Sequence, residues 1–495
     1  MRLRDPRLIP IPPFPTATDA LGAATEAALK ANPDEAVRSE QNPPPHPATA
    51  QTPNPEPIGE GDDAELILDI GPVAHGGHCV ARIGSGPDAG RVVFVRHALP
   101  GERVRARLTE RGKVWRADAM EIIASPSEYR VPSSWPEAGA GGVGGGELAH
   151  VSPAGQRRWK AAVLAEQLHR LAGIDLTYDA TLRDGPAVAV EALGDGETTG
   201  YRTRVELVTD AKGRAGMSKH RSREIVPLTD MPLATPALRE FLARQRAWHG
   251  GWPANARLLA VVPANGTAED GVLLVNGEVW HDGAPAPEAS GDVVEQVRGY
   301  RYQVAADGFW QVHQLAPKWL VDTVLASAAL RPGNTVLDLY SGAGLFTLPI
   351  ADAVGVQGQV IAIEGNKKAA AYAKTNAKPF PQIKVLSGDV AQTLRRFTGD
   401  GRGRGAIRLN KVDVVILDPP RVGAGRQVVD QIAALKPVRV VYVACDPAAL
   451  ARDISYFTNH GYQLTGLKAA DLFPSTHHVE AVATLTKELD LGRVD

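Results

Sequence analysis

The segment Val336-Leu-Asp-Leu-Tyr-Ser-Gly-Ala-Gly344 decides the fold of the C-terminal third of the chain. It is a short apolar run that enters a glycine-rich turn at Tyr340, and three similar runs follow, entering turns at Glu364, Asp418 and Cys445. Helical stretches lie between the runs, so the pattern predicts a parallel sheet covered by helices on both faces. Ligands of such sheets bind at the carboxyl ends of the strands. The four turns are therefore expected to meet at one crevice.

The length and composition of the whole chain restrict its possible architecture and function. A chain of 495 residues is too long for one core, so two or three domains are expected. No apolar run approaches the roughly 20 residues that cross a bilayer, and the N-terminus lacks the apolar core of a signal peptide, which predicts a cytoplasmic protein. Two cysteines cannot supply a four-cysteine zinc or iron–sulfur site. The net charge of −2 requires any nucleic-acid-binding surface to be local.

The first 60 residues are rich in proline and alanine. Such a composition cannot bury enough apolar surface to offset the entropy lost on ordering, which predicts a disordered tail. A short helix between residues 20 and 31 is the only ordered element expected there.

Residues 61–125 contain five short β-type runs separated by glycine and proline, which predicts a small, OB-like β-barrel. The barrel is locally basic, and this charge fits either RNA binding or a solvated barrel surface. Its basic residues are Arg82, Arg91, Arg96, Arg103, Arg105, Arg107, Arg111, Lys113 and Arg116.

Residues 126–300 are predicted to form a central α/β region, and we find no catalytic motif in their sequence. Its glycine-rich stretch, 133–146, is expected to be a flexible loop. Residues 153–172 are spaced for a helix with one apolar face, and 201–208 alternate like a strand. The basic residues that follow indicate a second RNA contact or an ordinary charged surface. They are Lys212, Arg214, Lys219, His220, Arg221 and Arg223.

The glycine turn 340–344 suits a nucleoside ligand, because glycines let a ligand approach the backbone closely. Glu364 follows about 20 residues later, where a carboxylate can accept hydrogen bonds from ribose hydroxyls. The turn lacks a full G-x-G-x-x-G pattern, which favours S-adenosylmethionine, although a dehydrogenase remains open. Asp418 starts a rigid Asp-Pro-Pro-Arg turn and can bind the polar edge of a base. Arg421 occupies the position where amino-methylating enzymes carry an aromatic residue.

Cys445 is either a buried structural cysteine or a nucleophile at the end of the fourth run. Glu480, which precedes the last apolar run, is a candidate general base, with His477 and His478 as competitors. Phe309 and Trp310, just before a predicted helix at 316–330, are expected to be core residues on composition alone.

Two resemblances follow from longer motifs. Residues 76–108, with the turns G-x-x-x-A-R and A-L-P-G-E, resemble the TRAM domain, a small RNA-binding barrel. The remaining motifs together resemble the RNA uracil-5-methyltransferase family, which acts on tRNA or ribosomal RNA. They are F-W-Q-V-H (309–313), L-D-L-Y-S-G-A-G (337–344), I-E-G-N (363–366), D-P-P-R-V-G (418–423), Y-V-A-C-D-P-A-A-L-A-R-D (442–453) and F-P-S-T-H-H-V-E (473–480).

The resemblance implies a Rossmann-like class I methyltransferase domain over residues 301–495, with S-adenosylmethionine as the methyl donor. It implies that Cys445 is the nucleophile and Glu480 the base. RNA is the expected partner, and no metal, no membrane association and no obligate protein partner are expected. The expected cofactor-binding residues are Gln311, Tyr340, Gly342, Gly344, Glu364, Asp389 and Asp418.

Three departures from the family pattern stand out. Gly144-Gly-Gly-Glu-Leu148 and Met231 occupy positions where many relatives carry the cysteines of an iron–sulfur cluster, so no cluster is expected. Leu345 replaces a common asparagine in the glycine turn. Ala444-Cys-Asp446 replaces the usual Ser-Cys-Asn. Methylation of another base, and an RNA-binding protein whose methyltransferase fold is inactive, remain the alternatives to uridine methylation.

Overall fold

The computed structural model describes residues 65–176, 188–398 and 411–487. The disordered tail and the short helix predicted within residues 1–60 lie outside these ranges. The described chain forms a barrel, a central region and a C-terminal α/β sheet. The domain boundaries predicted near residues 60, 125 and 300 remain predictions.

The N-terminal part is a closed five-stranded barrel with the order β1-β2-β3-β5-β4, as the sequence predicts. Along most of β1 and β4, buried residues alternate with more exposed ones, because successive side chains point to opposite faces of a strand. Branched apolar residues such as Leu68, Val93 and Val104 fill the interior. The strands are β1 Glu65–Ala74, β2 His78–Arg82, β3 Val92–Arg96, β4 Arg103–Arg111 and β5 Trp115–Ala124.

The helix α1, Pro153–Gln167, connects the barrel with the C-terminal sheet. Ser152 caps its N-terminus and proline occupies its first position, a favourable start for a helix. Trp159 and Val163 pack into the barrel core, whereas Leu164 and Leu168 pack against the C-terminal sheet. The prediction of a single apolar face was therefore wrong. The helix also ends earlier than predicted, and a π-type turn continues over Leu168–Ala172.

The central region is mainly a seven-stranded antiparallel sheet with the order β13-β12-β11-β10-β7-β8-β9, followed by the hairpin β14–β15. The strand predicted at 201–208 begins only at Arg204. The helix of this region is α2, Pro236–Arg244. The strands are β6 Val190–Glu191, β7 Arg204–Thr209, β8 Ala215–Ser218, β9 Ile225–Pro227, β10 Arg257–Val261, β11 Val272–Val275, β12 Glu278–His281, β13 Ala284–Pro285, β14 Asp292–Val297 and β15 Tyr300–Ala305.

The C-terminal part is an eight-stranded sheet with the order β18-β17-β16-β19-β20-β22-β21-β6. The four predicted apolar runs form β16, β17, β19 and β20, and all pair in parallel; the sequence reading missed the edge strand β18. The last strand, β22, runs antiparallel between β20 and β21. These strands are β16 Thr335–Leu339, β17 Gln359–Glu364, β18 Ile383–Ser387, β19 Val414–Leu417, β20 Arg439–Ala444, β21 Tyr462–Ala470 and β22 Glu480–Lys487.

Helices cover both faces of this sheet. Leu337 and Leu339 belong to the apolar cluster on one face, and Val336 belongs to the cluster on the other, because neighbouring strand residues point in opposite directions. Because both faces of the sheet are covered, the strands have continuous apolar sequences. The helices are α3 Ala316–Ala328, α4 Thr347–Val354, α5 Lys367–Asn376, α6 Val390–Thr398, α7 Gly425–Ala434 and α8 Pro447–Thr458. No helix in the described ranges is long and apolar enough to cross a membrane.

Candidate active site

A cavity of about 960 Å³ opens at the carboxyl edge of the parallel strands. The parallel registers of β16, β17, β19 and β20 bring the ends of these strands to the same edge. Tyr340, Glu364, Asp418 and Cys445 all line the cavity, as the sequence predicts. This volume is large enough to hold at least one drug-sized ligand.

The glycine turn after β16 is tight and makes a hydrogen bond to Glu364. Tyr340 and Gly342 have positive φ angles of 61° and 55°, and the amide of Gly344 donates to the carbonyl of Ser341 at 2.8 Å. The carboxylate of Glu364 accepts from the amides of Gly342 at 2.8 Å and Asn366 at 2.6 Å. These two hydrogen bonds fix the carboxylate of Glu364 at the carboxyl end of β17. Its remaining oxygen lone pairs can accept hydrogen bonds from a ligand.

Seven residues were predicted to bind the cofactor, and six of them line the cavity. Gly344 does not; a Cβ at this position would approach Leu348 to 3.3 Å, so Gly344 allows α4 to pack closely against the turn. Asp389 lines the cavity and its carboxylate also accepts from the amide of Gln392 at the start of α6. The lining members are Gln311, Tyr340, Gly342, Glu364, Asp389 and Asp418.

Two carboxyl groups near the turn have raised pKa values: Asp338 is buried, whereas Asp418 is partly exposed and lines the cavity. Burial, with the charge of Asp338 as the next cause, raises the pKa of Asp418 to about 7. Burial likewise raises the pKa of Asp338 to about 7, although a 2.5 Å hydrogen bond from the Thr347 hydroxyl opposes the shift. The sequence reading missed Asp338, which is a charged residue inside an otherwise apolar strand run. That departure from the strand pattern was the signal that could have identified it.

Cys445 and Glu480 lie at the same end of the strand pair β20–β22. Ala444, the last residue of β20, pairs with Ala481 of β22. Cys445 directly follows Ala444 and Glu480 directly precedes Ala481, so the antiparallel register brings the two residues close together. Both residues line the cavity. Burial, followed by the charges of Glu480 and Asp418, raises the pKa of Cys445 to about 12. Burial and the charge of Asp418 also raise the pKa of Glu480 well above its usual range.

His477 and His478, the alternative candidates for the general base, differ from Glu480 in their pKa or in their position relative to the cavity. His478 lines the cavity, but burial lowers its pKa to about 3, so it is a weak proton acceptor. His477 does not line the cavity and instead lies 3.6 Å from the carboxylate of Glu147. Glu480 and His478 line the cavity, whereas His477 does not.

The motif 309–313 contributes to both the core and the cavity. Trp310 is buried in the core, as predicted. Phe309 is 72% exposed at the cavity rim, so the prediction of a core residue was wrong for it. Gln311 is buried and lines the cavity. The reason is the chain path after β15, which turns Phe309 outward while Trp310 packs against Tyr302.

The glycine-rich stretch, expected to be flexible, is tied down by hydrogen bonds. The amide of Gly141 donates to Asp118 of the barrel at 3.0 Å, and the amide of Val143 to the carbonyl of Glu137 at 2.8 Å. Gly146 packs so closely that a Cβ would lie 2.9 Å from the Trp135 ring. Glycine serves here for close packing, and the stretch forms part of the cavity wall through Trp135 and Gly145.

The second end of the cavity is lined by central-region residues that the sequence reading did not select. Glu147, Arg202 and Met231 line it, together with apolar residues of β7 and β8. Glu147 and Met231 lie where the family pattern has cluster cysteines, but neither was predicted to line the site, and no local motif marks Arg202. Within the described ranges, no group of three histidine, cysteine, aspartate or glutamate residues is arranged to hold a metal ion.

The two basic clusters of the sequence meet at Glu110 of the barrel. Arg116 of the barrel and Arg221 of the second cluster both donate to Glu110, at 2.8 and 2.5 Å. Ion pairs neutralise several of the other arginines, as at Arg105 with Glu121, and Arg96 is buried beside Asp118. Among the described residues, the barrel cations outside such pairs are Arg82, Arg107, Arg111 and Lys113.

Comparisons with known proteins identify the family and the fold. The family model described as tRNA (Uracil-5-)-methyltransferase matches residues 292–488, and the TRAM domain model matches residues 65–112. An uncharacterized RNA methyltransferase of Streptomyces avermitilis is 41% identical over 440 residues, which are 85% of this chain and 98% of that protein. A 23S rRNA (uracil(1939)-C(5))-methyltransferase of Acinetobacter baumannii is 28% identical over 466 residues, 86% of this chain and 96% of that protein.

Among solved structures, the tRNA (uracil-54, C5)-methyltransferase of Pyrococcus abyssi, in complex with S-adenosyl-L-homocysteine, matches with a TM-score of 0.57. The identity is 20%, and the match covers 84% of this chain and 99% of that one. This likeness shows that the two chains share a fold.

Proposed function

The chain belongs to the S-adenosylmethionine-dependent RNA (uracil-5-)-methyltransferase family, and we propose that Cys445 and Glu480 carry out the methylation of a uridine at carbon 5. The observation that carries the assignment of these residues is their position at the same end of β20 and β22, inside one cavity. A nucleophile and a base that act on adjacent carbons of one ring must both reach that ring.

The residues at the glycine turn fit the methyl donor. The carboxylate of Glu364 would accept hydrogen bonds from ribose hydroxyls, and the carboxylate of Asp389 and the side-chain amide of Gln311 would bind other polar groups of the donor. Asp418 and Tyr340 complete the wall toward Cys445. When bound, S-adenosylmethionine supplies the methyl group as an electrophile.

The remaining chemistry belongs to this chain's own side chains. The sulfur of Cys445 adds to carbon 6 of uracil, and the electrons of the 5,6 double bond move onto the carbonyl at position 4. Carbon 5 thereby becomes nucleophilic and can accept the methyl group. Glu480 then removes the proton from carbon 5, the double bond re-forms, and the sulfur leaves carbon 6 with its electron pair.

The resting state of Cys445 has a consequence for this reaction. Its raised pKa leaves the thiol neutral near pH 7, so sulfur becomes an attacking group only after it loses its proton. Glu480, whose pKa is also raised, has to be ionised to accept a proton. Both conditions favour higher pH, and the rate of methylation is expected to rise through the neutral range.

The two basic clusters are the proposed RNA contact. Cations on both the barrel and the central sheet can hold phosphates, while the target base is flipped out of its stack to enter the cavity. The RNA is a tRNA or a ribosomal RNA. An RNA substrate also fits the cytoplasmic location expected from the sequence.

Covalent adducts test the two roles separately. With radiolabelled RNA and S-adenosylmethionine, Cys445→Ala should form no adduct on a denaturing gel, because no sulfur can reach carbon 6. Glu480→Gln should accumulate a methylated adduct, because the sulfur cannot leave until the carbon 5 proton is removed. Release of tritium from 5-tritiated uridine should be lost in both variants.

The opposite results have clear meanings. A gel shift that survives Cys445→Ala would place the nucleophile elsewhere. The absence of an adduct in Glu480→Gln would reopen the choice of base. A wild-type enzyme that releases no tritium from any RNA would favour the alternatives, methylation of another base or RNA binding without catalysis.

A further inference from the structure

The turn between β1 and β2 of the barrel lies against both loops that carry the proposed catalytic pair. Nε2 of His75 is 3.1 Å from Oδ2 of Asp446, the residue that follows Cys445. Gly77 has a positive φ of 79°, and a Cβ there would lie 3.2 Å from the Cβ of His477, in the loop that leads to Glu480. The barrel therefore contacts the catalytic loops directly, at a distance from its basic surface residues such as Arg107.

Asp446 uses its two carboxylate oxygens for two different partners. Oδ1 accepts from the amide of Ala449 at 2.8 Å and caps the N-terminus of α8, while Oδ2 accepts from the ring of His75. A side chain held at both oxygens has one rotamer and one backbone position available. Because Cys445 is the neighbouring residue, the position of its sulfur depends on this arrangement.

We propose that His75 is a positioning residue for the methylation reaction, which holds the loop of Cys445 in place through Asp446. The barrel then contributes to catalysis itself, in addition to any contribution to RNA binding. The inference rests on the proposed function, in which Cys445 is the nucleophile. It also gives a role to the aspartate at position 446, where the family pattern has asparagine.

The charges around the pair support a persistent contact. Burial acts to raise the pKa of Asp446, but the hydrogen bonds from His75 and from the start of α8 outweigh it and lower the pKa, so Asp446 is ionised near neutral pH. The groups that face His75 are Asp446, Glu166 of α1 and the ring of His477, whose centroid is 6.5 Å away. A carboxylate oxygen can only accept, so the hydrogen bond to Asp446 requires a ring N–H of His75 that donates.

The test compares three variants of the full chain. His75→Ala removes the donor, His75→Gln keeps an N–H group near the position of Nε2, and Arg107→Ala changes an exposed cation on the same barrel. The rate constant of adduct formation is measured in a single turnover at saturating RNA, and the Kd for RNA is measured separately by filter binding. RNA from a strain that lacks the enzyme serves as the probe.

We expect the variants to affect the rate constant of adduct formation and the Kd for RNA differently. His75→Ala should slow adduct formation by about 10- to 100-fold, the usual effect of a small displacement of a reacting group, with an unchanged Kd. His75→Gln should recover most of the rate. Arg107→Ala should raise the Kd, because it removes a cation that can hold a phosphate.

A double-mutant cycle identifies the route of the effect. In the Asp446→Ala background, His75→Ala should cause no further loss, since the contact is already gone. Additive losses would overturn the proposal, and so would an unchanged rate in His75→Ala or a change confined to the Kd. If the wild-type enzyme forms no adduct at Cys445, the proposed function fails instead, which is a distinguishable outcome.

Discussion

The raised pKa of Cys445 predicts an unusual pattern of chemical reactivity. Burial, together with Glu480 and Asp418, raises the pKa of this thiol from 9.0 to about 12. The ionised fraction at pH 8 is then about 1,000-fold lower than for an unperturbed thiol. A thiolate of higher pKa is intrinsically more nucleophilic, by about 16- to 32-fold over this difference, so Cys445 should be alkylated about 30- to 60-fold more slowly than an exposed cysteine.

The assay is alkylation by a neutral reagent such as iodoacetamide, followed by mass spectrometry of the intact chain. Cys445 and Cys79 are the only cysteines, and Cys79 is fully buried in the barrel. Cys445→Ala therefore measures the background from Cys79, and the same chain in denaturant gives the rate of an exposed thiol. Between about pH 7 and pH 10 the rate for Cys445 should rise tenfold per pH unit without levelling.

Glu480→Gln should make Cys445 more reactive while it abolishes turnover. At a pH where Glu480 is ionised, the substitution removes a negative charge near the sulfur and lowers the pKa of the thiol, so alkylation at that pH becomes faster. A wild-type profile that levels near pH 9 or below would refute the account of burial and charge at this site. An unchanged profile in Glu480→Gln would show that Glu480 does not act on the sulfur.

Three further predictions concern other parts of the molecule. Glu364→Ala should weaken the binding of S-adenosylmethionine by about 1–3 kcal/mol in calorimetry, and an unchanged affinity in a folded variant would remove Glu364 from the site. Lys160→Met leaves Asp471, its partner at 2.5 Å, buried without a counter-charge and should lower the free energy of unfolding by about 3–5 kcal/mol in urea titrations; a loss below 1 kcal/mol would contradict this. Arg107→Ala should reduce the slope of log Kd for RNA against log salt concentration by about 1, and an unchanged slope would show that Arg107 does not contact a phosphate. Substitution is the better design here than deletion of the barrel, because deletion would uncover Trp159 and Val163 of α1.

Local patterns in the sequence were sufficient for the parallel sheet and for one edge of the site. Runs such as 336–339 have the length and residue types of a strand buried on both faces, and parallel pairing then places Tyr340, Glu364, Asp418 and Cys445 at one edge. The closed barrel followed from five short runs with turns between them. Phe309 and the stretch 133–146 were misjudged, because composition does not report the direction of a side chain or the packing of a loop.

The family motifs in the sequence named Cys445 and Glu480, but their mutual position depends on the tertiary structure. The strand β22 inserts antiparallel between β20 and β21 and brings Glu480 close to Cys445. The contact of His75 with Asp446 joins residues 371 positions apart and has no counterpart in any local pattern. Local periodicity reports which residues are buried within one element, whereas contacts of this kind depend on how separate elements pack, and packing is decided by the whole chain at once.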